Sequence, residues 1–355
     1  MDNRRMRFKN FWKKYSNYLF LIFLIAATVF VIWTQVDLRE FMDTLARANL
    51  WYLGLGIVCV LIYWALEGYM LLKLLRRDKK DEGYPFAMVV TLVGQYYNLI
   101  TPGSSGGQPL QLYEMSKRGY SMGSGTAVLV QKYALYQITV TIIAILATLL
   151  NLGHINASVP AAKGLIAFGL IVNVLGVVLV LILALSPAVA RRILTGGIRL
   201  LNRLHIVKDV ARYYDKTDRF IADYSKAIDG LKANRRETAG LFLVSAVQIL
   251  VFFSINYLVY RSLGLSGSSP FLVISMQAIL YVAVAFIPTP GAAGGAEAGF
   301  ALIFGPIYGA VNTSVGLVVW RIITFYFIIL FGGVFLAVRS ALLGRKQQKR
   351  EGVIK

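Results

Sequence analysis

Thr101-Pro102-Gly103-Ser104-Ser105-Gly106-Gly107-Gln108-Pro109 breaks a helix inside apolar sequence, and Thr289-Pro290-Gly291-Ala292-Ala293-Gly294-Gly295-Ala296-Glu297 repeats its spacing. Proline removes a backbone donor and glycine loosens the chain, so each copy ends a helix where a membrane span would be expected to continue. Working outward from these copies, the apolar runs before them, Phe86 to Ile100 and Phe271 to Ile287, are too short to cross a bilayer comfortably. So are the runs after them, Leu110 to Tyr120 and Ala298 to Pro306. Each pair reads as a re-entrant hairpin that enters a membrane and leaves by the same face.

The composition agrees with a membrane setting. The 355 residues are 57% hydrophobic, with a mean hydropathy of +0.63, too apolar for an ordinary soluble domain. The apolar runs are long and continuous, whereas barrel strands alternate in segments of about 10 residues. Helices are therefore expected. Tyr18 to Val36, Leu50 to Leu75, Met122 to Leu150, Leu165 to Leu185, Ala239 to Tyr260 and Val311 to Val338 are each long enough, at about 1.5 Å per residue, to cross or nearly cross a core of about 30 Å. The first follows a basic start without a small-residue cleavage pattern and reads as a retained span. The expectation is an all-α polytopic membrane protein of six full transmembrane helices plus two re-entrant helical hairpins, in one membrane domain.

The net charge of +20 would point to nucleic acid in a soluble protein. Most of the 37 Lys and Arg lie instead in blocks between or beside the spans, at 1–17, 73–85, 117–118, 191–236 and 339–355. One assignment puts every block on the inner face, with both termini cytoplasmic, so the charge reports topology and no nucleic-acid partner is expected. Asp37 to Asn49 reads as a short interfacial helix, and a neutral external loop holds His154 and Pro160. Residues 187–238 read as two basic amphipathic helices on the inner leaflet, either a linker packed on the bundle or a site for anionic lipid.

Under this topology the two copies enter from opposite faces, within cores 86–150 and 271–340 that form an inverted repeat, the architecture of secondary transporters. Lys132 follows Gly103 at nearly the spacing by which Arg321 follows Gly291, and aromatics flank both cations. A cation at mid-membrane costs about 2.5 to 3.5 kcal/mol, which makes it a functional candidate; the competing reading is an ion pair with Glu67 or Glu297 that only holds helices together. Backbone groups freed by the breaks need protein or water, so a polar cavity is implied. The half-helices starting near Gly107 and Gly295 are expected to turn positive N-termini toward it, attracting an anion such as phosphate. Thr101, Ser104, Ser105 and Gln108 either donate to a headgroup or cap the half-helices. Gln95, Tyr96, Tyr97 and Asn98 either line the cavity or pack. Glu67 is a proton-coupling group or a partner of Lys132, and Glu297 either serves the cavity or is a favourable first-turn acid. The candidate translocation set is thus Lys132, Arg321, Glu297, Glu67, Thr101, Pro102, Gly103, Ser104, Ser105, Gln108, Thr289, Pro290 and Gly291.

The Pro-Gly-small-small-Gly-Gly stretch after Thr101 and Pro288-Thr289-Pro290-Gly291 with Gly294-Gly295 and Glu297 resemble the membrane region of the lysylphosphatidylglycerol synthase/flippase family, of the multiple peptide resistance factor type, over most of residues 10–345. That resemblance implies a flippase that moves aminoacylated phosphatidylglycerol between the leaflets of a bacterial plasma membrane and helps repel cationic antimicrobial peptides. It also implies a soluble aminoacyl-transferase domain, of which the short basic tail after the last span gives no sign. Gln108-Pro109 stands where an acid would mirror Glu297.

An enzyme of lipid aminoacylation, phosphatidylglycerol lysyltransferase, is the alternative. Against it, the only histidines, His154 and His205, read as surface residues away from the breaks, and no nucleophile–base or metal-ligand pattern occurs. Cys59 is the only cysteine and reads as packing. No cofactor is expected, and without a phosphate-binding G-x-x-x-x-G-K-[ST] loop ATP does not drive the protein directly. A third reading treats 191–236 as a surface that recruits a partner. The expected partners are membrane phospholipids; a homo-oligomer stays open, since glycine-rich spans allow close packing that nothing in the sequence specifies.

Overall fold

The computed structural model describes residues 38–79, 81–204, 210–232 and 235–350. The expected span Tyr18 to Val36 lies outside them, as does His205. Among the described residues the chain is helical, and five helices are long and apolar enough to cross a membrane: Leu50–Leu75, Met122–Leu150, Pro160–Leu183, Arg236–Ser262 and Ala310–Leu342.

Short polar signals set the helix starts. The chain begins with α1 (Leu38–Ala46), and α2 (Leu50–Leu75) is capped by Asn49, whose side chain accepts the Trp51 N–H. Pro85 lies in the first turn of α3 (Tyr84–Ile100), which stops at Thr101; α4 (Gly107–Lys117) follows the break. Ser121 caps α5 (Met122–Leu150). The expected loop at His154 is instead a short helix, α6 (Leu152–Ser158), and a 3-10 turn over Pro160–Ala162, held down by buried Ile155. His154 is accordingly half-buried, not a surface residue, with an unpartnered Nε2. Beyond the apolar α7 (Lys163–Leu185) come the two expected basic helices, α8 (Pro187–Arg203) and α9 (Val210–Lys232). α10 (Arg235–Ser262) leads to α11 (Pro270–Val284), capped by Ser269, then the second break and α12 (Gly295–Tyr308). The last span is α13 (Ala310–Arg321), a π turn over Ile322–Tyr326, and α14 (Phe327–Arg350).

Packing fixes the directions. The Asn49 N–H donates to Ser262 O at 2.7 Å, and Arg77 pairs with Glu237 at 3.1 Å, so α2 and α10 run antiparallel with both ends tied. The segment α3–α4 starts after the end of α2 and packs back along it, the Tyr84 hydroxyl donating to Ala65 O, and returns to that end, where Lys79 Nζ donates to Arg118 O. The segment α11–α12 starts beyond Ser262, and its far end returns to that side, where the Tyr308 hydroxyl donates to Asn256 O. The two broken segments therefore penetrate the bundle from opposite ends, and their 3-10 turns touch in the middle.

Basic residues gather at one end. There Glu114 on α4 binds Arg339 on α14 at 2.6 Å and Lys117 at 3.0 Å, and the Tyr120 hydroxyl donates to Glu82. Burial, and then the adjacent Glu82 carboxylate, push the Tyr120 phenol well above its usual range. The α9 helix packs against the start of α5, with Phe220 O close to Gly123, and the Tyr224 hydroxyl donates to Leu183 O at the end of α7. The α8 helix keeps Ile193 and Leu200 exposed, as is Leu204 at its C-cap, with Arg192, Arg199 and Arg203 on a neighbouring face.

The repeated motif takes one backbone form twice. Thr101 and Thr289 are extended, Gly103 (φ 58°, ψ 25°) and Gly291 (φ 59°, ψ 23°) are left-handed, and Ser104 and Ala292 follow at φ 54° and 52°. Non-glycine residues rarely occupy that region, so each turn holds strain at the same place. The surroundings differ: a Cβ on Gly103 would meet nothing within 4 Å, while one on Gly291 would lie 2.2 Å from the Phe325 ring. Gly103→Ala should therefore cost about 1–2 kcal/mol for the backbone alone, and Gly291→Ala about 1–3 kcal/mol more for overlap. Unfolding of the detergent-purified variants should rank them in that order; equal losses would contradict the packing.

Candidate functional site

The two cations close on the two acids. Lys132 on α5 reaches Glu67 Oε1 on α2 at 2.7 Å and Gln111 Oε1 on α4 at 3.4 Å. The other Glu67 oxygen accepts a short hydrogen bond from Gln95 Nε2 on α3. One buried carboxylate thus joins α2, α3 and α5, each charge matched by a partner, as a low dielectric demands. Between the two open readings of Glu67, the geometry is that of the partner.

Arg321 is held differently. Its Nη1 donates to Gly291 O at 3.0 Å, which ties the end of α13 to the second broken turn. Its Nη2 forms an ion pair with Glu297 Oε1 at 2.7 Å. Nε has no hydrogen-bond acceptor among the described residues, although Arg321 is only 5% exposed. The guanidinium lies over Trp320 and Phe325, 5.1 and 5.4 Å from the ring centroids. The π turn follows immediately, a distortion that often accompanies functional sites.

The half-helix N-termini are more fully occupied than their positions in sequence suggest. Thr101 Oγ1 accepts the Gly106 N–H and Asn98 Oδ1 accepts the Gly107 N–H, while Pro109 has none to offer. Glu297 accepts the Gly294 N–H at 2.6 Å, so the first turn of α12 already carries its own anion. Ser105 bonds Pro102 O and Thr289 bonds Ala293 O, which are turn-stabilising roles.

Lys132, Glu67 and Arg321 all line one cavity of about 360 Å³ between the two broken segments. Gly103, Ser104 and Gln108 line it from the first turn, and Thr289 and Gly291 from the second. Thr101, Pro102, Ser105, Pro290 and Glu297 are not among its lining residues. Of the polar aromatic cluster, Gln95 and Asn98 face the cavity, whereas Tyr96 packs on Gly332 and edge-on to Tyr97. Charge alone does not mark the uncharged polar wall, Gln111, Gln137, Asn173, Gln248 and Gln277, which is joined by Tyr63, Tyr136 and Tyr281. Amides placed inside otherwise apolar spans were the available signal, because such groups are costly there unless bonded. Most bond one another or backbone: Gln137 donates to Asn173 Oδ1, Asn173 to Val282 O and Asn256 to Gln277 Oε1.

Long apolar helices packed around a charged, amide-lined cavity define a polytopic helical membrane protein. More particularly, the chain belongs to the family described as "Lysylphosphatidylglycerol synthase TM region", which it matches over residues 19–332. No curated protein matches the chain.

The Glu67–Lys132 geometry makes a direct stability prediction. Lys132→Met strands a buried carboxylate and should cost about 3–5 kcal/mol in unfolding experiments. Adding Glu67→Gln, which keeps an acceptor for Gln95, should recover most of that loss; no recovery would show that the pair does not hold the helices.

Proposed function

We propose that the protein is a flippase that passes phospholipid headgroups of the phosphatidylglycerol type, including aminoacylated forms, between leaflets while the acyl tails stay in the bilayer. The observation that carries this reading is Arg321: a buried guanidinium whose Nε has no acceptor and whose Nη2 is met only by the ion pair with Glu297, at the wall of a cavity whose volume lies in the usual range for small-ligand sites. A phosphate supplies the acceptor that Nε lacks and can share the charge with Glu297. Lys132, already paired with Glu67, adds a second cation that a phosphate can share, and the paired acids suit a headgroup that also carries an ammonium.

In this reading the segments around Thr101 and Thr289 are re-entrant hairpins of an inverted repeat. Their entry from opposite ends of the bundle and their shared turn conformation support it. The basic end faces the cytoplasm of a bacterial cell by the positive-inside rule, with both termini on that side. The membrane potential then contributes about 2.3 kcal/mol per charge per 100 mV to the movement of a charged lipid. The family description also supports a second reading, a membrane component of lysylphosphatidylglycerol synthesis.

A leaflet-exchange assay in proteoliposomes separates the two. The wild-type chain should accelerate exchange of fluorescent phosphatidylglycerol, and Arg321→Gln/Glu297→Gln, which leaves no stranded charge, should slow it by at least about 10-fold. Undiminished exchange would remove Arg321 from the site. Formation of lysylphosphatidylglycerol from phosphatidylglycerol and charged tRNA by the purified chain would favour synthesis.

A further inference from the structure

The cavity wall contains one amide that the chain leaves entirely unused. Gln248 lies in the middle of α10, is 0% exposed, and lines the cavity together with Phe252, one turn further along the same helix face. Neither its Nε2 nor its Oε1 has a hydrogen-bond partner. Its neighbours on the wall are committed: Gln95 to Glu67, Asn98 to the Gly107 N–H, Gln111 to Val90 O, Gln137 to Asn173, and Gln277 to Asn256. Gln108, exposed at the first broken turn, reaches water. Among the described residues, Gln248 is thus the one buried amide on this wall with both ends free.

A buried amide with no partner is expensive, so its position at a cavity surface calls for a ligand that completes it. The ligand's chemistry follows from what an amide offers, two N–H donors and one carbonyl acceptor. A phosphate accepts only, and an ammonium donates only; either would leave one end of Gln248 bare. A hydroxyl both donates and accepts. We propose that Gln248 is the specificity-determining residue of the cavity and that it reads the hydroxyl-bearing, uncharged part of the headgroup, such as a glycerol, while Arg321 holds the phosphate. This rests on the lipid-exchange reading above and adds to it the group by which one anionic lipid is told from another. Selection follows because a headgroup without the hydroxyl enters the cavity and leaves the amide unpaired, whereas a hydroxylated one does not.

The test compares two lipids with the same phosphate and tails. Phosphatidylglycerol and phosphatidylpropanol differ only in the two hydroxyls of the headgroup, and exchange of fluorescent forms of each is measured in proteoliposomes of the full chain. Wild-type protein should exchange phosphatidylglycerol about 2- to 10-fold faster, the factor given by one ordinary hydrogen bond. Gln248→Leu should bring the ratio close to one by slowing phosphatidylglycerol and leaving phosphatidylpropanol unchanged, with Gln248→Met as a second variant of similar volume. Both variants should melt no lower than wild type, since an unsatisfied amide is replaced by an apolar group. An unchanged ratio in either folded variant, or an equal fall for both lipids with a lower melting temperature, overturns the proposal and leaves the exchange reading standing. Wild-type protein that exchanges neither lipid overturns both.

Discussion

Everything in this architecture depends on how a broken helix is tolerated deep inside an apolar bundle. Each break frees backbone groups that cost several kcal/mol in hydrocarbon, and the chain meets that demand locally. Thr101 and Asn98 take the first N–H groups of α4, Glu297 takes that of Gly294, and Arg321 reaches back to the carbonyl of Gly291. The two turns then lie against one another. What remains between them is a polar space lined in part by residues that allow the breaks, Asn98, Gly291 and Arg321.

The charges in that space cancel in pairs, yet not in the same way. Lys132 and Glu67 form a closed pair backed by Gln95 and Gln111, which locks four helices. Arg321 and Glu297 are equally close, yet Nε of the arginine keeps no acceptor. Both pairs balance their charge, and the second leaves one hydrogen-bond donor open. This difference echoes the motifs themselves, since Glu297 has Gln108-Pro109 in the corresponding region of the first copy.

The breaks, the helix boundaries and the clustering of basic blocks were legible because proline, glycine and charge act locally or by simple counting. Phe86 to Ile100 and Leu110 to Tyr120 became α3 and α4 within a few residues. The ion pairs were visible only as alternatives, because a sequence shows that Lys132 and Glu67 both need partners but not which helices cross. Occupation of the half-helix ends was not legible: the Asn98 cap on Gly107 spans a loop, and no short motif encodes it. The amide wall was overlooked for a different reason. Gln137, Asn173, Gln248 and Gln277 are far apart in sequence and individually unremarkable, and only the packing of α5, α7, α10 and α11 turns them into one surface.

The central claim is that the first broken turn borders an aqueous cavity within the membrane, and thiol accessibility tests it most directly. In a Cys59→Ala background, Ser104→Cys and, as a reference on the exposed apolar face of α7, Leu175→Cys are treated in native membranes with a membrane-impermeant methanethiosulfonate supplied to both faces, with labelling after denaturation as the measure of total thiol. The account predicts rapid modification at position 104 and none at 175. A residue-104 thiol as unreactive as that at 175 would contradict it.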